Sequence, residues 1–320
     1  MKSEVHYNAF IGALRKKHPN KTQLVNSLVD LLCIDRESVY RRLNGDIKFT
    51  AHEILQVASA WNISLDEITG VNPGQVSFQL QQVNYFNPSE DEMNLLRQII
   101  KSINYSGKFP DMKIIYICNK LPHQLLSGYE YLNRFYLLSQ FYQYDSENKV
   151  VPFSQIIISE EKRQLTKNYY NAIKQVPNTD FILDRRLFDD LIHDIRYYYS
   201  IRLINTEEKE LIKKDLYALL DYLSKIADKG YYPETKNKVN IYISQLDVNT
   251  NYSYVLTSEA NICFVHVFEK YEIYTLNPEM VEKFKTWMQL KVKTATQISK
   301  VDEKTRMEFF VKQQEFVDSL

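Results

Sequence analysis

Apolar positions recur along this chain at helical spacing in some stretches and in alternation in others, and the change between them divides it into two parts. Near the start, "KTQLVNSLVDLL" puts Leu24, Leu28, Leu31 and Leu32 on one helical face. Cys33 and Ile34 then make a tight connection, and Asp35 stands where a capping side chain belongs. In the next stretch, "RESVYRRLN", Val39 and Leu43 face inward one turn apart. Arg36, Glu37, Ser38, Tyr40, Arg41 and Arg42 must then point elsewhere, mostly to solvent. Asn44-Gly45 ends this helix, because that pair readily takes left-handed backbone angles. A further helix is expected over about Thr50 to Trp61, with Ile54, Leu55, Ala58 and Trp61 inward, and "ISLDEITG" closes the unit.

Two glycines and a proline in "GVNPGQ", residues 70–75, mark the best linker candidate. The following "VSFQLQQVNYF" alternates weakly and reads as an extended arm or a short strand. Beyond it the helical signal sharpens. Ser89 and Glu92 form a capping box ahead of a stripe of Met93, Leu96, Ile99, Ile100 and Ile103. Ser159 caps a helix with Leu165, Tyr169, Ile173 and Val176 inside, closed by Pro177. Asp184 is read as the cap of a helix carrying Phe188, Leu191, Ile192, Ile195 and Tyr199. Residues 206–228 hold Ile212, Leu216, Leu219, Leu220, Leu223 and Ile226 and end at Gly230. Asn277 and Pro278 open a helix with Met280, Phe284, Trp287, Met288 and Val292. Between these lie "KIIYIC", "VNIYIS", "YSYVLTS" and "ICFVHVF", the last two followed by "YEIYTL" as an antiparallel meander. The pattern therefore predicts an all-α domain over 1–72, a linker over 73–88, and a larger, mainly helical α+β domain with a small antiparallel sheet over 89–320.

Composition narrows the function classes. The 320 residues hold 40 Lys and Arg against 40 Asp and Glu, which excludes a wholly basic nucleic-acid binder but not one local basic face. Such a face exists: residues 15–48 carry eight basic and four acidic side chains. Three distant cysteines, Cys33, Cys118 and Cys263, without metal-type spacing, fit a reduced cytoplasmic chain. The start lacks the apolar core of a signal peptide, and runs such as "CFVHVF" are far short of a membrane span, so no membrane partner is expected.

Short helices with an exposed, arginine-bearing helix after a tight turn make a helix-turn-helix arrangement. Here "CIDRESVYRRLNGD" followed by "FTAHEILQVASAWNISLDEI" resembles the DNA-binding domain of phage-repressor-type (Cro/repressor-like) transcription regulators. It is especially similar to the BetR-type variant, in which Tyr-Arg-Arg precedes the glycine. The resemblance covers roughly residues 5–70. It implies double-stranded DNA as partner, with Arg36 and Glu37 reading bases, and Tyr40 and Arg41 reaching groove edges or phosphates. Asn44 corresponds to a residue that holds the DNA backbone. Independently, Arg can bind guanine bidentately and Glu can accept from cytosine. Lys21, Ser38, Arg42 and Lys48 complete the expected phosphate contacts. The chain departs from the family at Val29 and Cys33, where a small residue and a turn glycine are usual. It departs again at Thr22 and Gln23, two positions upstream of the usual Thr-Gln. If the turn is left-handed, Cys33 costs of order 1 kcal/mol.

Nothing in the primary sequence assembles a catalytic, metal or cofactor site. His6, His18, His52, His123, His193 and His266 are scattered without ligand spacing, and P-loop, Rossmann and GxSxG patterns are absent. Cys118 and Cys263 sit in apolar runs and read as inert buried thiols, and His266 as a structural strand residue. The helix "DIRYYYSIRL" reads as core packing rather than a pocket wall. The expectation is a homodimeric transcription regulator whose second domain serves self-association and a small-molecule or protein effector. Two alternatives stay open: an interaction scaffold whose helix-turn-helix unit no longer binds DNA, and an enzyme in the second domain.

Overall fold

The computed structural model describes residues 2–61, 63–69, 76–81, 90–144, 151–258, 261–267 and 271–320. The chain forms two compact units, Met1–Gln75 and Val76–Leu320. The punctuated stretch 70–75 and the Ser89–Glu92 capping box lie outside the described residues and side chains.

The first unit contains α1 (Lys2–Lys17), α2 (Lys21–Leu32), α3 (Arg36–Asn44), α4 (Ala51–Trp61) and α5 (Leu65–Thr69). Its core gathers Phe10 and Leu14 from α1, Leu24, Val25 and Leu28 from α2, Val39 and Leu43 from α3, then Phe49 and Val57. Leu31 and Leu32 pack at its margin. One inward assignment is corrected. Leu55 is 60% exposed, and Val57 is buried instead. A stripe through Ile54, Val57, Ala58 and Trp61 leaves position 55 about 100° away around the helix.

The second unit is built on β1 (Gln79–Gln81), α6 (Glu90–Ser106), β2 (Lys113–Cys118), α7 (His123–Leu126) and α8 (Glu130–Tyr144). It continues through α9 (Glu160–Lys174), β3 (Asn178–Asp184), α10 (Asp189–Ser200), α11 (Thr206–Lys229), β4 (Lys238–Ser244) and β5 (Tyr252–Leu256). β6 (Asn261–Val267), β7 (Tyr271–Thr275), α12 (Pro278–Thr294), β8 (Ala295–Gln297) and α13 (Glu303–Asp318) complete it. The strands form one sheet of eight, ordered β1-β7-β6-β5-β2-β3-β4-β8. β2, β3 and β4 run parallel; β5–β6–β7 is an antiparallel meander with β1 on its edge, and β8 is antiparallel to β4. The expected small antiparallel sheet is therefore corrected to a large mixed one.

Strand alternation sorts the core into two layers. Ile114, Tyr116, Cys118, Phe181, Leu183, Val239 and Ile241 join helices α8, α10, α11 and α13 on one face. Ile117, Ile182, Tyr254 and Cys263 meet Val281, Phe284 and Met288 of α12 on the other. Burial pushes the Cys118 and Cys263 thiols up, which suits inert core residues.

β3 overturns a second expectation. Asp184 does not cap α10; it ends a strand whose residues Thr179 to Asp184 are all buried, and α10 starts at Asp189. Its carboxylate accepts from the Arg186 N–H at 2.9 Å and the Val248 N–H at 3.4 Å. On α10 it is Tyr198 that is buried, whereas Tyr199 is exposed. Other ends fall where their residues direct them. Ser159 and Asn277 cap α9 and α12, and Gly230 takes φ +71° after α11. α11 also opens with a capping box, Asn205 and Glu208.

Candidate nucleic-acid interface

The geometry of α3 begins with its two ends. Asp35 caps it, accepting from the Ser38 N–H at 2.9 Å and from the Ser38 hydroxyl at 2.7 Å. These bonds from Ser38 hold the Asp35 carboxyl below its ordinary value. Gly45, at φ +87°, ends the helix by donating its N–H to the Arg42 carbonyl. The turn from α2 into α3 places Cys33 at φ 53°, ψ 42°, the left-handed region that glycine favours.

With its ends set, α3 is a rod of nine residues whose faces follow from about 100° per residue. Val39 and Leu43 are buried. Arg36, Tyr40, Asn44, Glu37 and Arg41 fill an arc about 140° wide, and all five are exposed. Position 42 falls on the opposite side. Arg42, expected on a phosphate, is corrected to an internal strut: Nη2 and Nε donate to the Glu53 carboxylate of α4 at 2.8 and 3.1 Å. Nη1 donates to the Ser38 carbonyl at 3.2 Å, and both charged side chains are about nine-tenths buried, at 13% and 14% exposure. Burial works to raise the Glu53 carboxyl, but bonds from Arg42 and the Thr50 N–H outweigh it and hold it below the usual range. Ser38, also expected on a phosphate, has its hydroxyl committed to Asp35.

The remaining expected contacts are exposed. Arg36 donates to the Asn26 amide oxygen of α2, which braces it beside the helix start. The Lys21 ammonium lies 5.4 Å from the Tyr40 ring centre. Lys48 sits 4.1 Å over the Tyr7 ring. Tyr7 is itself a latch that the sequence reading missed: its hydroxyl donates to the Arg42 carbonyl at 2.8 Å and accepts from the Phe49 N–H at 3.3 Å. A capping box was missed as well. The Thr50 N–H donates to Glu53 at 2.8 Å while the Glu53 N–H donates to the Thr50 hydroxyl at 3.2 Å. Its signal, Thr-x-x-Glu before an apolar run, is present in the sequence.

The arrangement is a short helix held at both ends, tied by one buried ion pair to the next helix, and presenting two arginines, a glutamate, a tyrosine and an asparagine outward. Across the described residues no helix is long and apolar enough to cross a membrane. Comparison with curated proteins and with solved structures found no match. Residues 13–90 do match the family model of the BetR domain, a helix-turn-helix family, and the N-terminal region of this chain is a helix-turn-helix domain of that type.

Proposed function

We propose that this protein is a sequence-specific DNA-binding transcription regulator that reads the major groove with α3. The observation that carries the reading is the division of α3. One side is locked by Val39, Leu43 and the Arg42–Glu53 pair, and the opposite arc is polar, exposed and guanidinium-bearing. An α-helix fits the major groove of B-DNA, and side chains of these types match base edges there. In this reading Arg36 and Glu37 read bases, with Tyr40 and Arg41 on groove edges. Lys21, Asn44 and Lys48 hold the backbone.

A single unit of this size touches few base pairs, and the local excess of four positive charges over residues 15–48 is modest. The protein therefore acts as a homodimer, two copies of α3 meeting half-sites one helical turn apart. The second unit serves self-association. Selection of bound fragments from a random DNA pool, followed by sedimentation of the full chain with the selected DNA, tests both points. An inverted repeat bound by two chains is expected. Retention that ignores sequence and salt would remove the DNA reading, and one chain per operator would remove the dimer.

A further inference from the structure

The second unit holds a cavity of about 300 Å³ beyond the carboxyl ends of the parallel strands, where β2 gives way to the antiparallel meander. That position is where open α/β sheets form ligand crevices. Strand register explains its lining. Tyr116 of β2 lies opposite Ser253 of β5, and His266 of β6 lies opposite Glu272 of β7. All four line the cavity, with Tyr136 of α8 and Tyr169 of α9. The tyrosine-rich helix α10 contributes Leu191 and Asp194 rather than its tyrosines.

Glu272 is the unusual member. It is partly buried, and among the described residues no side chain donates to its carboxylate or pairs with it. Buried carboxylates are ordinarily hydrogen-bonded or paired. Burial pushes this one up to about 7. Burial, and after it nearby charges including Glu272, hold the Tyr116 and Tyr169 hydroxyls well above their ordinary value, so both stay neutral. His123 is held down to about 4 by burial and adds no positive charge at neutral pH. Tyrosine rings around an uncompensated carboxylate are the environment that favours an organic cation.

We propose that this cavity binds a small organic amine with an aromatic or apolar body, Glu272 serving as its counter-ion and the rings of Tyr116, Tyr136 and Tyr169 as its walls. A cavity of about 300 Å³ holds the volume of about ten water molecules, which suits a ligand of similar non-hydrogen atom count. The proposal does not rest on the DNA reading.

Calorimetric titration of the full chain with phenethylamine, 2-phenylethanol and hydrocinnamate tests it, since the three share a body and differ in charge. Phenethylamine is expected to bind at least tenfold more tightly than the alcohol, and hydrocinnamate more weakly still. Glu272→Gln should lower the amine affinity at least tenfold and leave the alcohol unchanged. Between pH 6 and pH 8 the amine affinity of the natural chain should rise about tenfold as Glu272 ionises. Tyr116 of β2, Tyr169 of α9 and His266 of β6 face Glu272, with His123, Lys120 and Asp194 elsewhere in the lining. The slope should therefore vanish in Glu272→Gln if the carboxylate, and not His266, is its source. Equal affinities for the three probes, no heat with the amine at millimolar concentration, or an amine affinity indifferent to Glu272→Gln overturns the proposal. Should that variant not fold, the comparison of the three probes on the natural chain decides alone.

Discussion

Two short segments of this chain carry charged residues at both ends and treat them oppositely. α3, "RESVYRRLN", turns Arg36, Glu37 and Arg41 to solvent, while β3, "NTDFILD", buries both of its aspartates. The difference is set by what each carboxylate or guanidinium can reach. Asp180 has the Lys113 ammonium at 2.5 Å and the Asn240 amide at 2.7 Å, on the strands either side of β3. Asp184 has two backbone N–H groups beyond the strand end. Among the described residues the arc of α3 that holds Arg36 and Arg41 meets no buried partner of this kind, and Arg36 donates to an exposed amide on α2. A charge in the sequence is therefore read correctly only with its partner in view. Arg42 makes the point inside α3 itself, since it behaves like the β3 aspartates.

The largest expected effect lies in β3. Asp180→Ala removes a buried carboxylate that holds the Lys113 ammonium and the Asn240 amide, and Lys113 is exposed enough to recover water, so unfolding in urea should show a loss of about 2 kcal/mol. A loss below about 1 kcal/mol, the range of exposed pairs, would erase the contrast between the two segments.

The outward Arg36 of α3 and Lys48, just beyond that helix, should affect binding more than stability. Arg36→Ala is expected to cost about 1–3 kcal/mol in DNA affinity and to loosen base choice at one position. Lys48→Ala should weaken all sequences alike and reduce the salt slope by about 1. Titrations against selected and random duplexes at several salt concentrations separate the two. Identical behaviour of both variants would mean that α3 has no base-reading arc.

Arg41 and Arg42 sharpen the comparison most closely, being consecutive residues about 100° apart on one helix, one exposed and the other turned to Glu53. Arg42→Ala should cost about 1.5 kcal/mol of stability, the low end for a charged hydrogen-bonding partner, because both side chains keep some water. Arg41→Ala should stay within about 0.5 kcal/mol while reducing DNA affinity. The Glu53 carboxyl is held below its ordinary 4.5 in the folded chain, so its pairing stabilises at neutral pH. That contribution is lost as pH falls below this range and Glu53 takes up a proton. The difference in Tm between the natural chain and Arg42→Ala should thus shrink between pH 7 and pH 3. A difference that stays constant would show that Arg42 acts through packing alone.

The helix-turn-helix unit was legible because its determinants are local. The Asp35 cap, the Val39 and Leu43 spacing and the Gly45 stop lie within eleven consecutive residues. Arg42 was misread because its partner is eleven residues on, in another helix, and spacing alone does not show that the two sides of α3 meet different neighbours. In the second unit most helices were legible from their stripes and caps, and the meander from its alternation. β3 was not, since a strand buried on both faces does not alternate, and its acids imitate a helix cap. The parallel pairing of β2, β3 and β4 joins segments about sixty residues apart and leaves no local mark. The cavity is further still from local reading, because β2, α8, α9 and β7 supply its walls.

The smallest expected effect concerns the turn that delivers α3. Cys33 holds φ 53° without being glycine, is exposed, and its thiol lies 3.8 Å from the Asp30 carbonyl. An L-residue in this region costs about 1–2 kcal/mol, which glycine would remove. Glycine would also widen the unfolded ensemble, a penalty of about 0.4–1 kcal/mol. Cys33→Gly should therefore gain about 0.5 kcal/mol, raising the Tm of a unit this size by about 3 °C. Cys33→Ala keeps the strain and loses only a weak sulfur contact, so it should be close to neutral, and the pair of variants isolates the backbone from the thiol. If glycine destabilised the unit while alanine did not, the left-handed turn would owe its shape to the packing of α2 on α3 rather than oppose it.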